Sequence, residues 1–350
     1  MGKLKKLTGY RLFLPLSCLI IVLLINLITT PTFFRITINN GVLYGYIIDV
    51  INRASELVVL AVGMTLVVSA SAGTDISVGA VMAVAAAVCT RVLAGGEVSV
   101  NEYANPYVLA VLAALAAAVV CGGFNGFLVA KLKIQPMVAT LILFTAGRGI
   151  SQLVTNGQIT YIRVDGYKLL GNNIPGIPIP TPIFVAVIVV ALTYILLKKT
   201  AMGMYIQSVG INERASRLVG LKSVKIIWMA YAFCGLCAGI AGLVASSRIY
   251  SADANNIGLN MELDAIAAVA LGGNSLGGGR FSLLGSVIGA YTIQALTTTL
   301  YAMSVPADQI PVYKAIVVIL IVAVQSEELN KFRKRLASRH SSKNVEGGVA

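Results

Sequence analysis

The chain has 350 residues, of which 57% are hydrophobic and only 12% charged, with a formal net charge of +13. A soluble domain runs nearer a quarter charged, so this composition excludes a water-soluble globule and makes lipid the solvent for most of the chain. The positive charge lies in the tails and in short loops between apolar runs, which excludes a nucleic-acid surface and fits the ends of membrane spans.

In chain order, Lys3, Lys5, Lys6 and Arg11 precede an apolar run from Leu12 to Ile28. The run resembles a signal peptide, but it is long, lacks a small-x-small cleavage site and is followed by further spans. It reads as a retained first span behind a cytoplasmic segment, 1–11. Further apolar runs follow at 57–72, 77–93, 107–130, 136–155, 181–197, 226–246, 264–279, 282–302 and 310–325. They predict an all-α, polytopic integral membrane protein with about ten transmembrane helices over 12–325. Gly73, Thr74 and Asp75 interrupt the second and third runs, and glycines interrupt the eighth. Such breaks are tolerated at membrane depth only where protein or a wet cavity covers the backbone. The polar, basic segment 326–350 reads as a tail.

With the N-terminus inside, only Arg35, Arg53, Arg91, Arg163, Lys168 and Arg248 of the 27 Lys and Arg residues fall in external loops. That asymmetry is the positive-inside bias. An even number of spans puts both termini in the cytoplasm, and 198–225 becomes the longest cytoplasmic loop. No extramembrane segment is long enough for a catalytic domain.

The five cysteines all lie in apolar stretches. Cys234-x-x-Cys237 lacks the βαβ context of a redox motif and reads as helix packing. His340, the only histidine, lies in the tail, which excludes a histidine metal site or triad inside the membrane. No metal site is expected.

Asp75 is the sharpest intramembrane residue, because an uncompensated carboxylate in lipid costs about 3 kcal/mol. It reads either as a cap accepting from the N–H groups near Ser77 and Val78 or as a pore residue. Ser77, Asn125, Gln135, Arg148, Gln152 and Gln294 add a polar seam, with Arg148 and Gln152 one helical turn apart. The alternative for each is interhelical hydrogen bonding, and the same holds for Lys314. Gly122 and Gly126, and Gly235 and Gly239, form G-x-x-x-G pairs for close helix packing, within one subunit or between two.

In the loop 198–225, Asn212 is placed to cap a short helix, Glu213 suits its first turn and Gly220 ends it. Ala215, Leu218 and Val219 give it an apolar stripe. It reads as a docking knob for a partner or as a helix lying at the lipid headgroups.

The run Asn212-Glu213-Arg214-Ala215-Ser216-Arg217-Leu218-Val219-Gly220 resembles the coupling loop of bacterial ABC sugar permeases of the ribose, xylose and galactoside type. Three further runs resemble the same family: Gly73 to Gly79, Lys133 to Leu141 followed by Gly147-Arg148-Gly149, and Glu262 to Arg280. The resemblance covers about residues 50–325. Gly147 to Leu153, Gly157-Gln158-Ile159 and Ala252 to Asn256 resemble galactofuranose-type members most. Thr74, where the family usually has a bulky aliphatic, and Arg214, where many members have Ala, are departures.

The resemblance implies a permease domain at 12–325 in the bacterial cytoplasmic (inner) membrane. It implies coupling to a cytoplasmic ABC ATPase through Asn212, Glu213, Arg214, Ala215, Arg217 and Gly220. An external binding protein would deliver a monosaccharide, and a second permease subunit, identical or related, would complete the path. Asp253, Asn255, Asn256 and Glu262 are candidates for contact with the binding protein, with a solvated acidic loop as the alternative. ATP and Mg would sit on the partner ATPase, and no cofactor is expected in this chain. The glycine run 272–279 lacks the Gly-Lys-Ser/Thr ending of a phosphate loop, so the chain is not expected to be an enzyme. The rivals are an ion-coupled secondary transporter, a membrane-embedded enzyme, and an ABC permease for a non-sugar solute such as a nucleoside.

Overall fold

The computed structural model describes residues 12–39 and 41–325. The segment 1–11 and the tail 326–350, including His340, lie outside the described residues.

The helices are α1 (Phe13–Thr29), α2 (Tyr46–Ser71), α3 (Val78–Ala94), α4 (Tyr107–Ala130), α5 (Pro136–Val154) and α6 (Thr181–Lys199). They continue as α7 (Met202–Ile211), α8 (Glu213–Leu218), α9 (Ser223–Ile249), α10 (Met261–Leu271), α11 (Leu283–Ala302) and α12 (Ile310–Gln325). Among the described residues, six are long and apolar enough to cross a membrane: α2, α4, α5, α6, α9 and α11. α1, α3 and α12 are shorter apolar helices.

The core forms around α2 and α9, which pack on each other, with α3 and α4 against α9 and α11 against α2. Val58, Leu60, Val62 and Met64 of α2 are sealed inside it. The peripheral helices turn large apolar side chains outward: Ile21 and Ile28 on α1, Val108 and Val120 on α4, Val187 and Leu192 on α6, Ile319 on α12. In water such a belt would drive aggregation, whereas in lipid it is the required surface.

The G-x-x-x-G pairs pack on each other within the chain. A Cβ on Gly126 would lie 3.0 Å from the Trp228 carbonyl oxygen, and one on Gly239 would lie 2.7 Å from the Ala118 Cβ. α4 and α9 therefore approach almost backbone to backbone, as small residues permit. Cys234 and Cys237 are buried free thiols on the same helix, packed beside Gly63 of α2.

Three features depart from the sequence reading. First, α2 begins at Tyr46 and not at 57, so Asp49, Arg53 and Glu56 are helical rather than in a loop. At 26 residues the helix spans about 39 Å, more than the roughly 30 Å of a hydrocarbon core, so its charged first turns extend beyond the apolar zone. Arg248, expected in a loop, is in the last turn of α9 and pairs with Glu56 at 3.0 Å. Second, the run 264–279 is helical only as far as Leu271. The chain then turns through Gly272 to Phe281 before α11, because Asn274 ties the two helices together. Its amide donates to the Val269 carbonyl at 3.0 Å and to Ser286 Oγ at 2.8 Å, and its oxygen accepts from the Ser282 N–H at 2.5 Å.

Third, the all-α expectation omits five short strands. β1 (Thr37–Asn39) and β2 (Val42–Tyr44) form a hairpin. β3 (Ser99–Val100) runs parallel to β4 (Thr160–Ile162), which runs antiparallel to β5 (Ser251–Ala252). Connections from three distant parts of the chain thus form one small sheet that packs on α3 and α9. Strands this short carry no periodic signal in the sequence.

At the opposite end, the Gly279 N–H donates to the Ser69 carbonyl at 3.0 Å. Gly210 of α7 lies against that same carbonyl, with its Cα facing the Gly279 nitrogen so closely that a side chain would collide with both. The end of α2, the turn after α10 and helix α7 meet there through backbone atoms of Ser69, Gly279 and Gly210.

Candidate functional site

The predicted site residues fall into three groups. The central one lies at the break between α2 and α3. Ala72 caps α2 in the left-handed region, at φ 53°, and turns the chain. Asp75 Oδ1 then accepts from the Ser77 N–H at 2.9 Å and from the Ser77 hydroxyl at 2.7 Å. Asn125 of α4 donates from Nδ2 to Ser77 Oγ at 2.8 Å and to Asp75 Oδ1 at 3.4 Å. Asp75, Ser77 and Asn125 are all buried. Asp75 therefore does act on the start of α3, through Ser77 and not Val78. The buried Asn125 Oδ1 and Thr74 Oγ1 beside it have no hydrogen-bond partner among the described residues. Buried polar atoms are costly when unmet, so this cluster retains capacity for a hydroxylated guest or water.

The second group joins two sets that the sequence reading kept apart. Arg148 Nη1 of α5 donates to the Ala254 carbonyl at 2.9 Å and to the Ile257 carbonyl at 2.5 Å. Gln152, one turn on, donates to Asn255 Oδ1 at 2.6 Å. The two clasp the segment between α9 and α10. Within that segment, Asp253 accepts from the Asn255 N–H at 2.9 Å and from the Asn256 side chain at 2.6 Å. Partial burial opposes ionisation of Asp253, but these amides and the Arg148 charge hold its carboxyl below the usual carboxylate value. Asp253, Asn255 and Asn256 present polar atoms at the surface, as a contact face requires. Glu262 does not: it is only 3% exposed, and its carboxylate lies against Gly79 at the start of α3. It is a buried residue of the first turn of α10 and not part of that face.

Gln294 stands apart, with a 3.3 Å hydrogen bond to Thr298 on its own helix. Lys314 pairs with Asp264 at 2.6 Å and ties α12 to α10, the interhelical role considered for it. Asn274 lies in the run Glu262 to Arg280 but is not among the predicted site residues, although its three hydrogen bonds shape the turn after α10. Its signal was an amide within a glycine run, where nothing apolar explains it.

The third group is the predicted coupling segment. Asn212 caps α8 by accepting from the Ala215 N–H at 3.0 Å, as its position predicts. Gly220 adopts a left-handed φ of 86° after the helix ends. Glu213 bonds Arg217 on the same helix and reaches Lys133, in the turn between α4 and α5, at 2.5 Å. Partial burial works against ionisation of Glu213, yet Lys133 and Arg217 together hold its carboxyl below the ordinary value. Arg214 and Ala215 are exposed. Leu218 and Val219 stand out at 89% and 77% exposure. Gln135 starts α5 without capping it and lines a cavity behind this segment.

Residues 46–325 match the family model described as branched-chain amino acid transport system / permease component. The chain is 44% identical to the galactofuranose transporter permease protein YtfT of Escherichia coli over 324 residues, 93% of this chain and 92% of that protein. It is 37% identical to the fructose import permease protein FruF of Bifidobacterium longum, over 99% of this chain and 96% of the relative. It is 35% identical to the ribose import permease protein RbsC of Escherichia coli, over 89% and 93%. No solved structure matches the chain.

Proposed function

The chain belongs to the branched-chain amino acid transport system permease family, and from that premise we propose that it is the membrane subunit of an ATP-binding-cassette importer for a monosaccharide. The named cargo of its relatives supports a sugar over an amino acid, and the 44% relative supports galactofuranose. The chain sits in the bacterial cytoplasmic membrane. About ten spans cross it, with α10 and its turn completing the eighth, and both termini face the cytoplasm.

The observation that carries the reading is the coupling segment. A surface helix normally buries its apolar side chains, whereas Leu218 at the end of α8 and Val219 just after it are nearly bare. An exposed apolar knob beside charged Arg214 and Arg217 suits the groove of a cytoplasmic ATPase. That partner holds ATP and Mg. This chain supplies the path and no nucleotide chemistry. An extracytoplasmic binding protein docks near Asp253, Asn255 and Asn256, and a second permease subunit completes the transporter. Closure of the ATPase moves α7 and α8 and reverses the side on which the path is open.

The test is uptake of labelled galactofuranose, ribose and fructose by cells producing the chain with its ATPase and binding protein. One sugar should enter, vanadate should stop it, and omission of the ATPase should abolish it. Transport by the permease alone along an ion gradient would overturn the reading. Glu213→Lys should leave the protein in the membrane and abolish uptake.

A further inference from the structure

A cavity of about 310 Å3 opens behind the coupling segment. Its walls are Ser71 at the end of α2, Gln135 and Pro136 at the start of α5, Val209 and Gly210 of α7, and Ile227 of α9. Lys133 and Glu213 complete its lining, with side chains 46% and 31% exposed. They adjoin different walls, Lys133 that of Gln135 and Pro136 and Glu213 that of Val209 and Gly210. Lys133 sits at φ 59° in the turn between α4 and α5, and Glu213 opens α8. Their 2.5 Å ion pair bridges the two sides.

The lining combines apolar walls with a hydroxyl and an amide. That is the usual make-up of a small-molecule pocket, and the volume is at the lower end of the usual range. A sugar ring offers C–H faces to such walls and hydroxyls to Ser71 and Gln135. Ser71 Oγ also lies 3.3 Å from the hydroxyl of Tyr231, a buried residue of α9.

We infer that this cavity is the inner chamber of the sugar path and that the Lys133–Glu213 ion pair is its gate. The inference rests on the sugar-permease reading and adds a site to it. An exposed ion pair contributes little equilibrium stability, which suits a contact broken in every cycle. When Lys133 leaves, Glu213 keeps its bond to Arg217, so opening strands no charge. Because Glu213 is part of the coupling segment, movement of α8 by the partner acts on the gate directly. Ser71, Gln135 and Lys133 are thereby assigned to the path.

The test uses the whole transporter in proteoliposomes. Lys133→Glu should lower uptake roughly tenfold, the scale of coupling between residues in contact, and Glu213→Lys should abolish it. The double reversal, Lys133→Glu with Glu213→Lys, should restore most of it. A Lys133→Cys, Glu213→Cys pair should form a disulfide that stops uptake until it is reduced. ATP with vanadate should change the rate at which that disulfide forms. If the double reversal is as inactive as the single variants while the ATPase still co-purifies, Glu213 serves docking alone and the gate is overturned. Normal transport by the cross-linked pair overturns it as well. If the wild type moves none of the sugars yet vanadate still alters disulfide formation, the gate stands and the sugar assignment fails.

Discussion

A Cβ on Gly122 would lie 2.9 Å from the Cα of Gly235, and one on Gly235 would lie equally close to the Cα of Gly122. Without a hydrophobic drive between helices in lipid, α4 and α9 rely on such contact and on dispersion. Overpacking costs about 1–3 kcal/mol in a core that can yield, and here the atoms that would have to yield are backbone. Gly235→Val should therefore lower the melting temperature of the purified protein sharply and reduce its amount in membranes. Gly149→Val, at a glycine with open space around it, is the control and should behave as wild type in both measurements.

The Glu56–Arg248 pair joins the outer turns of α2 and α9 with side chains only 13% and 19% exposed. Breaking a buried pair by removing one partner costs about 3–5 kcal/mol, because the other charge is left alone. Arg248→Met should destabilise the protein by that order, and adding Glu56→Met should recover most of the loss. Thermal melting in detergent reads both. A double variant no better than the single one would show that Arg248 acts through its packing instead.

Arg148 donates to two carbonyls of the segment between α9 and α10, and hydrogen bonds to a charged group contribute about 1.5–3 kcal/mol each. Arg148→Met should release that segment. Deuterium exchange of residues 253–260 should accelerate at least severalfold, with α9 unchanged. Unaltered exchange there would mean that Gln152 and the Asp253 turn suffice to hold the loop.

Glu213 supplies a pH signature. Its carboxyl is held below the ordinary value by Lys133 and Arg217 despite partial burial. A depressed acid contributes stability that is complete above its unfolded pKa, about 4.3, and is lost as pH falls through the lowered folded value. Wild type should melt above Glu213→Gln at neutral pH by a small margin, about 0–1 kcal/mol for an exposed pair. The two curves should converge in strongly acidic buffer. A gap that widens on acidification would contradict the sign.

Helix positions were legible because hydropathy is a local property. The runs at 107–130 and 310–325 coincide with α4 and α12. The cap at Asn212 was legible for the same reason, since its acceptor and donor lie three residues apart. The true start of α2 was not, because its first turns are charged and their partner Arg248 is 192 residues away from Glu56. Arg148 shows the same limit. Its position in a span marked it as a candidate, but which groups it satisfies depends on a loop 106 residues further along. The partners of the glycine pairs required three dimensions as well, since a small residue announces closeness without naming its neighbour.

The meeting of Gly210, Gly279 and the Ser69 carbonyl has a mechanical consequence. Side chains between moving parts can change rotamer and absorb a push, whereas peptide planes in contact have almost no such slack. A load applied to α7 must shift the last turn of the central helix in the same stroke. A bulkier residue at 210 would act as a wedge, leaving the engine intact and the gearing jammed.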